Sequence, residues 1–317
     1  MEFASLHVAP GERAVGRLNV VPAAGHDISL PLMAVNGSQP GPVLGLIGAV
    51  HGDEYEGTAA IWDLYRSLDP KKMTGSLVGV PVANPYAFQA GDRDNPLDGV
   101  NLNRVFPGRR NGTISERIAA VIMDEVVAHC DAVLDLHSGG RILDMLPVVL
   151  RTTSPDLADR LDALTRATGV ELDWQVNWQR TGMLAEVAIS RGIPALTLEV
   201  GGAGRLDEPS LQTMRVAVQR VLHHLGISAD EPPSPGRQVR IRGDFIRASV
   251  GGFFRASVSL GARVAANQEL GVLLDDYGEV RATVKAPVAG LVSILRSTPY
   301  TQPGDQMGLV GEVISDT

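Results

Sequence analysis

Three apolar runs in this sequence each lead into a histidine or a glutamate with glycine close by, and any fold of the chain has to place those endings. Residues 43–47 run into His51 and Glu54, within the glycine-bounded stretch 48–57. Residues 132–136 end in His137, followed by Ser138, Gly139 and Gly140. Residues 195–198 end in Glu199, with Gly201 and Gly202 just beyond. Short aliphatic runs of this kind read as strands buried on both faces. Helical spacing lies between them. In 58–68 the apolar positions are Ala60, Ile61, Leu64, Tyr65 and Leu68, and 115–129, 155–168, 181–191 and 210–225 repeat the pattern. Buried strands alternating with amphipathic helices predict an α/β fold with a mostly parallel central sheet flanked by helices.

In open α/β sheets, ligands gather outside the carboxyl ends of the strands. The three endings are therefore expected to meet, far apart as they are in the chain. Two histidines and a glutamate can hold zinc and leave a fourth position for water. We expect one zinc ion per chain, bound by His51, Glu54 and His137. Zinc lowers the pKa of such a water to about 7, and a neighbouring carboxylate can accept its proton and pass it to a leaving amine. Glu199 is the candidate for that role, because a carboxylate at the end of an apolar strand is costly without a partner. Asp53 and Glu56 read as charges at a helix start, not as ligands. The only cysteine is Cys130, so neither a thiolate cluster nor a disulfide can form within the chain.

Residues 83–112 read as a long polar loop rich in asparagine and arginine, and loops of that length inside a compact domain are usually functional or disordered. Its arginines can polarise a carbonyl or grip a carboxylate at two points. Ser115 is expected to help cap the helix that follows. Together these parts suggest metal-assisted hydrolysis of an amide next to a carboxylate. Trp174, Trp178 and Arg180 precede the 181–191 helix, where they could line a pocket or simply pack.

The motifs His51-Gly52-Asp53-Glu54, Asn101-Leu102-Asn103-Arg104, Asp135-Leu136-His137-Ser138 and Leu198-Glu199-Val200-Gly201, in that order, resemble the succinylglutamate desuccinylase/aspartoacylase family of the zinc carboxypeptidase superfamily. The resemblance spans residues 40–225. It implies a zinc-carboxypeptidase-like fold, His51, Glu54 and His137 as zinc ligands, and Glu199 as general base. It further implies that Asn103 and Arg104 bind the substrate carboxylate and that Arg93 polarises the scissile carbonyl.

Residues 228–237 carry three prolines, a glycine and several charges, the composition of a linker. They separate an expected catalytic domain (1–227) from a small all-β domain (238–317), whose short strands alternate with glycine turns. Residues 261–271, 285–292 and 303–305 resemble a biotinyl/lipoyl-type half-barrel. Its hairpin at 275–278 lacks the lysine of a carrier domain, and the family resemblance implies instead a domain that covers the cleft and limits substrate size, with Tyr300 as a contributor to substrate binding.

The functional expectation is a zinc-dependent deacylase acting on an N-acyl amino acid or a related small molecule. A carboxypeptidase-like peptidase and a non-catalytic metal-binding scaffold are the alternatives. The net charge of −8 (28 − 36) argues against nucleic acid as a partner. No apolar stretch is long enough to span a membrane. The first ten residues lack the basic-then-apolar pattern of a secretory leader, so a cytoplasmic location is expected. A homo-oligomer remains open.

Overall fold

The computed structural model describes residues 2–3, 6–22, 27–176 and 181–316. Its centre is a large sheet in which the strands Thr74–Val80, Gln39–Gly48, Ala132–His137 and Ala195–Gly202 lie side by side in that order, all parallel. Helices Glu56–Ser67, Ile114–Glu125, Ala158–Thr168, Leu184–Ser190 and Glu208–His224 pack around it. The strand–helix–strand unit from Gln39 to Val80 is the parallel crossover that the sequence pattern suggests.

The sheet as a whole is mixed, not mostly parallel. On one side, Ile28–Asn36 pairs antiparallel with Thr74–Val80, and Glu12–Val21 pairs antiparallel with Ile28–Asn36. On the other side, Leu143–Thr152 runs antiparallel to Ala195–Gly202. Glu12–Val21 and Ile28–Asn36 are consecutive strands, which a short connection joins as antiparallel neighbours, whereas Leu143–Thr152 follows the turn after His137 and passes beyond Ala195–Gly202 to its far side.

The C-terminal residues contribute only strands and turns among the described residues. Val239–Arg242 extends the large sheet beside Leu172–Val176, and Gln306–Asp316 pairs with Val239–Arg242. Gly290–Arg296 pairs with Gln306–Asp316 and also with the start of Leu143–Thr152. These pairings close a ring of five strands, from Leu143–Thr152 through Leu172–Val176, Val239–Arg242, Gln306–Asp316 and Gly290–Arg296 back to the first. Leu172, Trp174, Ile241, Ile294 and Leu309 form part of the apolar cluster of these strands. Gly252–Ala256, Glu269–Leu274, Val280–Lys285 and Tyr300–Thr301 make a separate four-stranded sheet. The run 285–292 is not one strand. Lys285 ends one and Gly290 begins the next, and Pro287 between them has no N–H for a ladder.

Residues 228–237 have no regular structure, yet the Arg220 guanidinium donates to the carbonyls of Pro233 (2.9 Å) and Ser234 (2.8 Å). Where Leu172–Val176 meets Val239–Arg242, a buried ion cluster ties strands together. Arg151 donates to Asp173 at 2.9 and 3.2 Å, and Arg240 reaches the same carboxylate at 2.9 Å. No helix of the described residues is long and apolar enough to cross a membrane.

Candidate active site

Strand geometry brings the three endings together. In the parallel ladder Glu199 is the Cα partner of His137, and Gly48 on the neighbouring strand pairs with Leu136. The turn after Gly48 places His51 and Glu54 above that edge. Gly52 allows this turn to lie against the 85–90 helix, since a Cβ there would overlap the Ala87 carbonyl and the Phe88 nitrogen.

His51, Glu54 and His137 offer ligand atoms that all lie within 4.8 Å of one another. The His51 Nδ1 is 2.8 Å from Glu54 Oε1, and the His137 Nδ1 is 2.7 Å from Glu54 Oε2. Both Nδ1 atoms thus face one carboxylate. The Nε2 atoms are held from outside. That of His51 lies 3.2 Å from Asn101 Oδ1, and that of His137 lies 2.9 Å from Asp135 Oδ2, without the alignment of a hydrogen bond, and 3.2 Å from Asn103 Nδ2. Oxygen acceptors on the far ring nitrogens are the usual way of orienting ligand histidines. Two imidazole nitrogens and a buried carboxylate form a donor set that suits zinc. Asp53 and Glu56 stand outside the cluster. Asp53 accepts the Arg141 backbone N–H at 2.8 Å, and Glu56 lies in the first turn of the Glu56–Ser67 helix.

The charges are strongly biased. Burial would raise Glu54, but His51 and His137 outweigh it and hold the carboxyl well below its usual range. Burial also opposes charge on His137, yet Asp135 and Glu54 together hold its pKa well above 6.5. His51 is pushed down to about 4, by burial first and then by the Arg93 guanidinium. Glu199 is half-buried where it lines the cleft, and burial pushes its pKa up to about 8.

The cleft over this cluster has about 560 Å³ of free space, including the part open to solvent, a size suited to a small molecule. His51, Arg93, Asn103, Arg104, His137 and Glu199 all line it. Arg93 reaches Glu54 Oε1 at 3.2 Å. Arg104 donates to the Asn103 carbonyl at 2.7 Å and is otherwise exposed. Asn103 is buried, and its Oδ1 accepts the Leu184 N–H at 2.8 Å, so both ends of its amide are engaged. Tyr300 is not brought to the cleft. It is 65 % exposed, and its hydroxyl accepts from Gln302 at 2.9 Å. The C-terminal residues that do line the cleft are Phe245 and Gln306.

The long loop carries more structure than its composition suggests. Asn84 caps the short helix Pro85–Ala90, and Leu102–Arg104 is a 3-10 turn capped by Asn101. Asparagine followed by proline was the available signal for the first of these. The Ile114–Glu125 helix is capped by Thr113 through a capping box with Glu116, not by Ser115; Ser115 instead donates to Asp98 at 2.9 Å. The 181–191 segment becomes helical only at Leu184, because Thr181 turns back to bond Glu186. Asp135 was missed as a partner of His137. Its signal is a position two residues earlier on the same face of a strand. Trp174 lines the cleft, whereas Trp178 and Arg180 lie outside the described residues.

A mixed α/β sheet with a buried two-histidine, one-glutamate cluster at the carboxyl ends of its parallel strands defines a protein with a candidate metal centre. More particularly, the chain belongs to the succinylglutamate desuccinylase/aspartoacylase family, whose catalytic-domain model matches residues 40–225. Over 297 residues it is 30% identical to the N-alpha-acetyl-L-2,4-diaminobutyric acid deacetylase of Halomonas elongata, covering 90% of this chain and 86% of that one. The crystal structure of a succinylglutamate desuccinylase from Silicibacter sp. TM1040 has 27% identity and a TM-score of 0.90, with 98% of each chain covered. The product-bound ectoine utilization protein EutE (DoeB) of Ruegeria pomeroyi has 29% identity and a TM-score of 0.89, with 97% of each covered.

Proposed function

We propose that this chain is a zinc-dependent amide hydrolase that removes the acyl group from an N-acyl amino acid or a closely related small molecule. The observation that carries the reading is the convergence of both histidine Nδ1 atoms on the Glu54 carboxylate, in a cleft that Glu199 and Arg93 also line. The deacetylase activity in the Halomonas elongata protein's name supports the reaction type.

His51, Glu54 and His137 would hold the zinc ion, which supplies a Lewis acid and lowers the pKa of water. Glu199 takes the proton from the attacking water and returns it to the leaving nitrogen. Its raised pKa suits that shuttle, since a base works best with a pKa near the working pH. Arg93 stabilises the negative charge that develops on the carbonyl oxygen. Arg104, exposed at the cleft, binds the substrate carboxylate. Asn103 accepts the Leu184 N–H at the start of the Leu184–Ser190 helix, which holds its Nδ2 group in the cleft lining beside Arg104 to join it on the substrate carboxylate. Residues 1–227 form the catalytic part, 228–237 the connector, and 238–317 the cover, which reaches the cleft through Phe245 and Gln306. That cover narrows the room for a polypeptide and favours small substrates over peptides.

The test is release of amine from a panel of N-acyl amino acids by purified protein, with and without chelator. Chelator-sensitive turnover is expected. Absence of such turnover across the panel would remove the reading.

A further inference from the structure

Away from the histidine cluster the cleft is walled by Leu143, Met145, Leu150, Trp174, Met183 and Phe245, with Gln306 as the polar residue among them. The first five are buried and belong to the apolar cluster of the strand ring, and Phe245 packs against it. Trp174 and Phe245 meet edge to face at 5.7 Å. The Trp174 indole N–H is turned to the Gly243 carbonyl at 3.2 Å, so its ring gives the wall apolar surface.

Charge is scarce on this side. Beside the histidine cluster, the cations lining the cleft among the described residues are Arg93 and Arg104, and the lining carboxylate is Glu199. All three have tasks in the proposed reaction: the carbonyl, one carboxylate, and the proton. Residues 177–180 lie outside the described residues; their sequence, Asn-Trp-Gln-Arg, adds no carboxylate and one cation, Arg180. A cationic side chain on the substrate would thus find no counter-charge at the wall. A second carboxylate would find no third arginine or lysine among the described residues that line the cleft. Burying either without a partner is strongly unfavourable.

We propose that the substrate carries one carboxylate and an uncharged, apolar group that fills this wall. This rests on the hydrolase reading above and narrows it. The apolar group can belong to the amino acid side chain or to the acyl chain, and the two are separable by experiment.

One arm compares N-acetyl-L-methionine and N-acetyl-L-leucine with N-acetyl-L-aspartate and Nα-acetyl-L-2,4-diaminobutyrate. The other compares N-hexanoylglycine with N-succinylglycine. Zinc-loaded full-length protein is expected to favour the apolar member of at least one arm by about tenfold or more in kcat/KM. The arm that shows the preference identifies the source of the group. Q306E, which puts a carboxylate into the wall at a half-buried position, should shift the ratio of diaminobutyrate to methionine substrate about tenfold towards the cation, with its fold checked by circular dichroism. Preference for a charged member in both arms, or an unchanged ratio in folded Q306E, overturns this inference alone. No turnover in either arm overturns the hydrolase reading and this inference with it.

Discussion

Glu199 and His137 are direct partners across a parallel ladder. Their side chains reach the cleft from adjacent strand ends, which puts a carboxylate of raised pKa beside a histidine of the candidate metal centre. Burial pushes Glu199 to about 8, and a bound cation would draw that value down. As a base, Glu199 works only when deprotonated. Activity should therefore fall on the acid side, with the limb of the kcat/KM profile centred at or below pH 8. Glu199→Gln should lower kcat by about 10²–10⁴ while zinc content stays that of the parent. Measuring pH profiles and bound zinc for both proteins checks this. Parent-level turnover in the variant would assign the base elsewhere.

Zinc binding should be linked to proton release. Without metal, Asp135 and Glu54 outweigh burial and keep His137 charged, its pKa held well above 6.5. Its Nδ1 must lose that proton to become a ligand. Apparent zinc affinity is thus expected to weaken as pH falls from 8 to 6. Titration calorimetry in buffers of different ionisation enthalpy should report about one proton released per zinc near neutral pH. His137→Ala should bind zinc at least about tenfold more weakly. Saturating zinc should raise the melting temperature of the parent, in line with a gain of about 3 kcal/mol at a hundredfold excess over Kd.

The parts of this arrangement that the sequence revealed follow from local rules. The apolar runs ending at His137 and Glu199 announce buried strands, and side chains at such strand ends converge whatever lies between them. The hybrid character of the sheet was hidden, because antiparallel and parallel neighbours draw on the same aliphatic residues. Leu143–Thr152 shows this well. It pairs antiparallel with Ala195–Gly202, parallel with Leu172–Val176, and antiparallel with Gly290–Arg296. Only the folded chain reveals that third pairing, which closes the ring of strands to which the wall residues Leu143, Met145, Leu150 and Trp174 belong. Tyr300 lies away from the cleft lining for a related reason. Its strand pairs with Gly252–Ala256 in the separate sheet, whereas Gln306, a few residues later, begins the strand that joins the ring.

Gly52 couples the two loops of the site. Its N–H donates to the Asp92 carbonyl at 2.9 Å, next to Arg93, and its Cα lies against the backbone of Ala87 and Phe88. A methyl group there meets main-chain atoms, which cannot rotate aside as a side chain would. Gly52→Ala should displace His51 and Arg93 together, weakening zinc at least about tenfold and lowering stability by about 1–3 kcal/mol. Zinc titration and urea unfolding check both effects. Parent-like zinc affinity would show that the loops move independently.

Glu56 gives the clearest link between pH and stability. It is 1 % exposed, and its Oε1 has no hydrogen-bond partner. Burial pushes its pKa from 4.5 up to about 7. The unfolded chain therefore releases this proton at lower pH than the folded chain does. Between about pH 4.5 and 7 the unfolded state binds fewer protons, so this group's contribution to stability falls as pH rises. The full shift corresponds to at most roughly 3 kcal/mol. Glu56→Gln keeps the shape and removes the titration. In metal-free protein, the difference in unfolding free energy between Glu56→Gln and the parent should grow in favour of the variant from pH 5 to pH 8. Urea unfolding at both values measures it. A constant difference would mean that Glu56 is ionised in the folded protein throughout.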